Sequence, residues 1–248
     1  MKKILLLIPH PDDEIVGTSA IVQRKKKQGC SFFFFFLTNG VLKKNEMWPW
    51  NRKNYENLLN IRINEMKKSL NLFEVNEFCL QNIPTRQLKY FIKPTIDKIS
   101  KLISKYKIDS ILTPAYEGGH QDHDVTNCIA SIFKKRLNIF EYSEYNYYQN
   151  KINSNTFIKK TGNEVCYQLT NKEVEFKRKA LNIYCSEKNN LNYINLKQEC
   201  YRPLTNYDYN LPPHEGVLFY RRFSLFSWHP RVDSSHPREI CKILNEVN

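Results

Sequence analysis

The chain has 248 residues, 41% of them hydrophobic and 25% charged, with a formal net charge of +13 and only 7 glycines. Such a length and composition fit one α/β unit with its own core, and exclude collagen-like and disordered chains. The surplus charge permits a polyanionic partner, but the basic runs Arg24 to Lys27, Lys67 to Lys68 and Lys134 to Arg136 are dispersed near the ends of expected helices, which argues against a nucleic-acid surface.

Lys2 to Ile8 reads as a fully buried strand, followed by an acidic loop and a helix from about Gly17 to Lys27 that stops at Gly29. Met1 to Pro9 imitates the start of a signal peptide, but its apolar run, Ile4 to Ile8, is shorter than the ~7–15 residues such a segment needs. Ser31 to Thr38 is a second buried strand, and its apolar stretch Phe32 to Leu37 falls far short of the ~20 residues that span a bilayer, so no membrane span is expected. A polar, Trp-bearing segment leads to a helix around Tyr55 to Leu70 with Leu59, Ile63, Met66 and Leu70 on one face. Asn76 to Leu80 gives a third strand, Leu88 to Lys105 a third helix and Asp109 to Pro114 a fourth strand. A helix from Asp124 to about Arg136, a strand near Ile139 to Tyr145, a polar surface excursion from Gln149 to Asn163, a strand at Val165 to Leu169 and a helix at Lys172 to Tyr184 follow. The Tyr/Pro-rich tail beyond has no readable order.

The alternation predicts an α/β fold: a mostly parallel sheet with helices on both faces, in a single domain spanning 1–248. Its motif-bearing core covers about 1–145, and 146–248 is a C-terminal embellishment completing the fold and the substrate site. The seven cysteines, Cys30, Cys79, Cys128, Cys166, Cys185, Cys200 and Cys241, form an odd set with no C-x-x-C pair. That pattern predicts reduced, mostly buried thiols and a cytoplasmic location.

Two loops stand out. Asp12, Asp13 and Glu14 follow His10 directly after the first strand, and three adjacent carboxylates repel one another when partly desolvated unless a cation or a proton relieves them. The loop Ala115 to Asp124 carries His120 and His123 with Asp122 between them, repeating the i, i+3 spacing of His10 and Asp13. Both loops lie at carboxyl ends of expected strands, where parallel sheets bind ligands, so they should meet. Two His and one carboxylate with an open position is a catalytic metal set, and no cysteine lies nearby to close a structural one. His10, Asp13 and His123 are the candidate ligands, leaving Asp12 as a base and His120 as an acid or oxyanion donor. Asp122 or Asp124 could also simply cap the next helix. The same triad could hold Fe(II) for oxygen chemistry, although that chemistry usually uses His-x-Asp rather than His-Pro-Asp-Asp. A non-catalytic basic protein binding a polyanion or glycan would have no need of the intact acids and histidines.

HPDDE after an N-terminal strand, paired with EGGHQDHD about 110 residues later, resembles the PIG-L/LmbE family of zinc-dependent deacetylases, which remove N-acetyl groups from N-acetylglucosamine-type sugars. LTNG (Leu37 to Gly40), RINE (Arg62 to Glu65), KRKALNIYCSE (Lys177 to Glu187) and ECYRPL (Glu199 to Leu204) resemble further family segments. Two departures are GTSA (Gly17 to Ala20), where the family usually has a Gly-Gly pair, and Asn39 in place of an acid. The resemblance implies a Rossmann-like fold and one Zn2+ per chain held by His10, Asp13 and His123. It further implies Asp12 as the general base activating the zinc-bound water, His120 stabilising the oxyanion or protonating the leaving amine, and Asp122 orienting His120. The expected substrate is an N-acetylated amino sugar or glycoconjugate, and the basic charge would favour an anionic one. Candidate substrate contacts are Trp48, by stacking on a sugar face, Arg62, by reaching a hydroxyl or phosphate, and His214, by folding over the site from its Pro-Pro turn. No oligomeric interface stands out.

Overall fold

Strands buried on both faces need unbroken apolar runs, and two such runs form the middle of the sheet. In the computed structural model, which describes residues 2–247, these are β1 (Lys3–Ile8) and β2 (Ser31–Phe36). Side chains alternate across each strand: Leu5, Leu7, Phe33 and Phe35 enter one core, while Leu6, Ile8, Phe32, Phe34 and Phe36 enter the other. Along the chain follow a short turn of helix α1 (Asp13–Val16), α2 (Ser19–Lys27), α3 (Tyr55–Phe73), β3 (Phe78–Leu80), α4 (Ile92–Tyr106), β4 (Ser110–Pro114), α5 (Gln121–Ser131) and β5 (Asn138–Tyr142). The chain continues with a small hairpin, β6 (Tyr145–Asn146) and β7 (Asn153–Ser154), then β8 (Val165–Gln168), α6 (Asn171–Leu181), β9 (Gln198–Pro203) and α7 (Pro237–Asn245).

The seven-stranded sheet has the order β3-β2-β1-β4-β5-β9-β8, parallel through β5, with β9 antiparallel to both of its neighbours. This is the Rossmann-like, mostly parallel arrangement the alternation predicts. After β1 the chain moves outward to β2 and β3, then returns to the other side of β1 with β4. The order therefore reverses between β1 and β4, and a crevice opens there at their carboxyl ends.

Three departures from the expected elements shape that crevice. Helix begins at Asp13 and breaks at Gly17, where a Cβ would lie 2.5 Å from the Tyr142 ring and 2.9 Å from the Glu144 side chain. Helix α5 begins at Gln121 rather than near Asp124, because His120 Nδ1 accepts the Asp122 N–H and caps it. Strand β5 ends at Tyr142, so Ser143 to Tyr145 leaves the sheet instead of extending it.

The expectation of reduced thiols holds for five cysteines and fails for two. Cys166 and Cys200 stand opposite each other in the β8–β9 pairing and form a disulfide, 34 positions apart in sequence. Antiparallel register creates that neighbourhood, and cysteine spacing carries no trace of it. The pair removes the thiol argument for a cytoplasmic location. No helix among the described residues is long and apolar enough to cross a membrane.

A buried ion pair ties the C-terminal half to the crevice. Glu199 on β9 accepts from Lys177 Nζ (2.9 Å), Ser19 Oγ (2.6 Å) and the backbone N–H groups of Ala20 and Ile21, satisfying the otherwise orphaned first turn of α2. Lys177 also donates to the Val16 carbonyl at 2.7 Å. Both residues are fully buried. Glu199→Ala strands a buried ammonium and is expected to cost about 3–5 kcal/mol in urea unfolding. Nearby, the Arg24 guanidinium hydrogen-bonds Glu173 and lowers its carboxyl pKa to about 2. A depressed pKa adds stability above the ordinary carboxyl value, lost as pH falls from about 4.5 through about 2. Comparing wild type with Glu173→Gln by unfolding across that window should show the mutant's deficit shrinking on acidification.

Candidate metal centre

The loop after β1 and the cap of α5 meet at the crevice and bring three donor atoms together. His10 Nδ1 lies 3.0 Å from Asp13 Oδ2, His123 Nε2 lies 3.1 Å from the same oxygen, and the two nitrogens are 3.3 Å apart. A tetrahedral zinc with ligand bonds of about 2.0–2.1 Å would space its donors by roughly 3.3 Å, so this triangle matches one face of such a site within a few tenths of an ångström. The remaining ring nitrogens complete the fit. His10 Nε2 is 3.0 Å from Asp122 Oδ2, and His123 Nδ1 is 2.8 Å from Glu144 Oε2. A carboxylate on the far nitrogen fixes each imidazole's tautomer and orientation, as in metal-ligating histidines generally.

Local geometry holds these groups rigidly. Asp13 Oδ2 also accepts the His10 N–H at 2.9 Å. Asp12 has φ 130°, a conformation costly for a residue with a Cβ, and sits in a well-braced turn: its N–H donates to Glu14 Oε2 (2.9 Å), and Arg62 Nη1 donates to the Pro11 carbonyl (2.8 Å). Glu14, fully buried, in turn accepts from Ser69 Oγ and Tyr184 Oη. The acidic triplet is thereby separated: Asp13 faces the histidines, Asp12 faces Arg62 at 3.3 Å, and Glu14 points into a hydroxyl pair.

A family model described as PIG-L, GlcNAc-PI de-N-acetylase, matches residues 5–133, just over half of the chain and both of these loops. The chain belongs to the PIG-L family. Among solved structures, the PIG-L fold recurs in a deacetylase of teicoplanin biosynthesis (TM-score 0.64, 14% identity, covering 84% of this chain and 99% of that one). It recurs also in N,N'-diacetylchitobiose deacetylase from Pyrococcus horikoshii (0.56, 17%, 86% and 84%) and in GalB, a 4-carboxy-2-hydroxymuconate hydratase from Pseudomonas putida KT2440 (0.56, 11%, 84% and 98%). No curated protein sequence matches the chain. At these identities the likeness concerns the fold, which supports more than one chemistry.

Electrostatics within this PIG-L crevice are set by burial. Desolvation works against a charge on His10, but Asp13 and Asp122 outweigh it and raise its pKa to about 9, while His123 is raised in the same way by Asp13 and Glu144. Despite its burial, Asp13 is held far below the carboxylate range by the two histidines. Asp12 is pushed well up by burial and by Asp13, with Arg62 opposing. His120 is pushed well down, by burial and then by His10, so it stays neutral. Since the Asp122 N–H donates to His120 Nδ1 at 3.0 Å, the proton of that neutral ring belongs on Nε2.

Several expected roles change. The Asp122 carboxylate is 3.7 Å from His120 but 3.0 Å from His10, and it also accepts the Arg86 N–H at 2.6 Å; its backbone, not its side chain, orients His120. Arg62 is buried, and its two Nη groups donate to Pro11, Asp12 and Glu187, bracing the Asp12 turn. Trp48 stacks on Trp50 at 4.7 Å and also lies near Trp228 and His229. His214 packs against Tyr148 and its Nδ1 meets the Glu215 carbonyl.

Glu144 is the functional residue that sequence reasoning missed. It falls where alternation extends a strand, and only the termination of β5 and the close packing at Gly17 and at Gly119, whose Cβ would lie 2.4 Å from the Tyr145 carbonyl, bring it to His123. Glu144→Ala is expected to weaken metal affinity about 10–100-fold. Competition against a chromophoric chelator measures the change.

Proposed function

We propose that this PIG-L family protein is a metal-dependent hydrolase that removes the N-acetyl group from an N-acetylglucosamine-type sugar or glycoconjugate. The observation that carries the reading is the triangle of His10, Asp13 and His123 with Asp12 and His120 beside it, in a family described by de-N-acetylation. The deacetylase names of two fold neighbours support it further.

His10 Nδ1, Asp13 Oδ2 and His123 Nε2 would hold one zinc ion. When bound, the metal polarises the amide carbonyl and acidifies water at neutral pH. Asp12 is the general base. Burial beside Asp13 raises its affinity for a proton, which suits a group that takes one from the attacking water and passes it to the departing amine, and Arg62 keeps its carboxylate in place. His120 offers its Nε2–H to the oxygen on which negative charge develops, and its neutrality spares it from competing with the metal for the acids. Asp122 and Glu144 hold the two ligand rings.

The reading takes residues 1–248 as one deacetylase unit in which 146–248 completes the site. Two ties support that. Ser186 donates to Glu65 and Glu187 accepts from Arg62, so the C-terminal half braces the Asp12 turn through α3. Lys177 and Glu199 anchor α2 directly behind it.

Metal analysis of the purified protein, combined with acetate release from a panel of N-acetylglucosamine compounds with and without chelator, tests the assignment. Stoichiometric zinc and chelator-sensitive acetate are expected. Stoichiometric iron with no acetate would overturn it in favour of oxygen chemistry. Asp12→Ala should retain the metal and lose most turnover, His120→Ala should lose about 10²-fold or more with the metal retained, and His123→Ala should lose both. An Asp12→Ala enzyme of undiminished rate would remove Asp12 from the mechanism.

A further inference from the structure

Two surface segments expose apolar side chains to a degree that a folded chain normally avoids. Between β9 and α7, the single-turn helices at Phe219–Arg221 and Ser224–Phe226 leave Leu225 91% exposed, Trp228 68%, and Phe223 and Phe226 54% each. On the segment between β2 and α3, Trp50 is 62% exposed. Trp48 joins the two: its ring stacks on Trp50 at 4.7 Å and lies 6.1 Å from Trp228. The result is one aromatic and aliphatic ridge.

The ridge is fastened to the candidate metal centre. Phe219 packs on Tyr145 at 4.7 Å, and Tyr145 packs on His123 at 5.4 Å. On the other side, the Arg86 guanidinium holds the carbonyls of Pro230 and Arg231 while the Arg86 backbone N–H donates to Asp122.

Basic side chains predominate around the ridge. Residues 43–54 carry Lys43, Lys44, Arg52 and Lys53 against one acid, Glu46, and residues 215–233 carry Arg221, Arg222 and Arg231 against exposed Glu215 and buried Asp233. Among the described residues, none of these seven cations forms an ion pair with a carboxylate. Arg222 instead lies over the Phe219 and Phe223 rings. Trp, Phe and Leu side chains projecting from short turns and ringed by unpaired Arg and Lys fit the boundary of a lipid bilayer, where rings and aliphatic groups enter the headgroup layer and the cations meet acidic lipid. A second copy of the chain fits poorly. A twofold contact would set the same seven cations against themselves.

We propose that this ridge docks the protein peripherally on an anionic phospholipid surface, with the mouth of the metal centre facing the headgroups. Binding is independent of the reaction assigned above. Sedimentation of the full-length protein with phosphatidylglycerol vesicles should exceed that with phosphatidylcholine vesicles about tenfold or more at low salt and should fall as salt rises. Leu225→Ser/Phe226→Ser/Trp228→Ser should lower partition about tenfold or more with little change in Tm, since these side chains bury little. Leu225→Ser alone, at the most exposed position, serves if the triple variant melts early. Equal partition to both lipids, absence of binding, or binding unaffected by the substitutions would overturn the proposal. So would a concentration-dependent dimer abolished by them, which would make a second copy the occupant.

Discussion

Asp13 lies between two imidazoles, 3.0 and 3.1 Å away, with all three side chains buried, and much of the surrounding structure serves to make that arrangement tolerable. A buried carboxylate must be paired or protonated. Two further acids near it meet partners from distant parts of the chain, Glu14 from α3 and from Tyr184 after α6 and Asp122 from the Arg86 backbone, while Glu144 lies 2.8 Å from His123. The cost of desolvating charge thus dictates which segments come together. The two imidazoles in turn hold Asp13 far below the usual carboxylate range.

The same constraint explains the brace behind the Asp12 turn. A non-glycine residue at φ 130° persists only where the surroundings over-determine it. Arg62, Glu14 and the Gly17 approach supply that rigidity, and Glu199 with Lys177 fixes the helix immediately after it. Residues that look like substrate contacts in a linear motif, Arg62 above all, are used to shape backbone.

Much of this was legible before any coordinates. Strands β1, β2 and β4 announce themselves as short apolar runs, the helices α3 and α4 as 3.6-residue periodicity, and their alternation implies a parallel sheet whose loops meet at one edge. The i, i+3 spacing of His10 with Asp13 and of His120 with His123, at two strand ends, was enough to expect a shared cluster. Helix α5 starts earlier than the sequence pattern implies because His120 rather than an acid caps it. Reduced cysteines were expected because the register of β9 against β8 cannot be read from spacing.

The sequence by itself determined the layer architecture and the donor types, since hydrophobic period and strand-end position are local properties of the chain. Tertiary structure alone decided the partners: that Asp122 serves His10, that Glu144 serves His123, that Arg62 turns inward, and that two Trp-bearing segments merge into one ridge. Those outcomes depend on where strands stop and which backbones can approach within van der Waals distance. Contacts of that kind, some of them between residues more than a hundred positions apart, leave no periodic mark in the sequence.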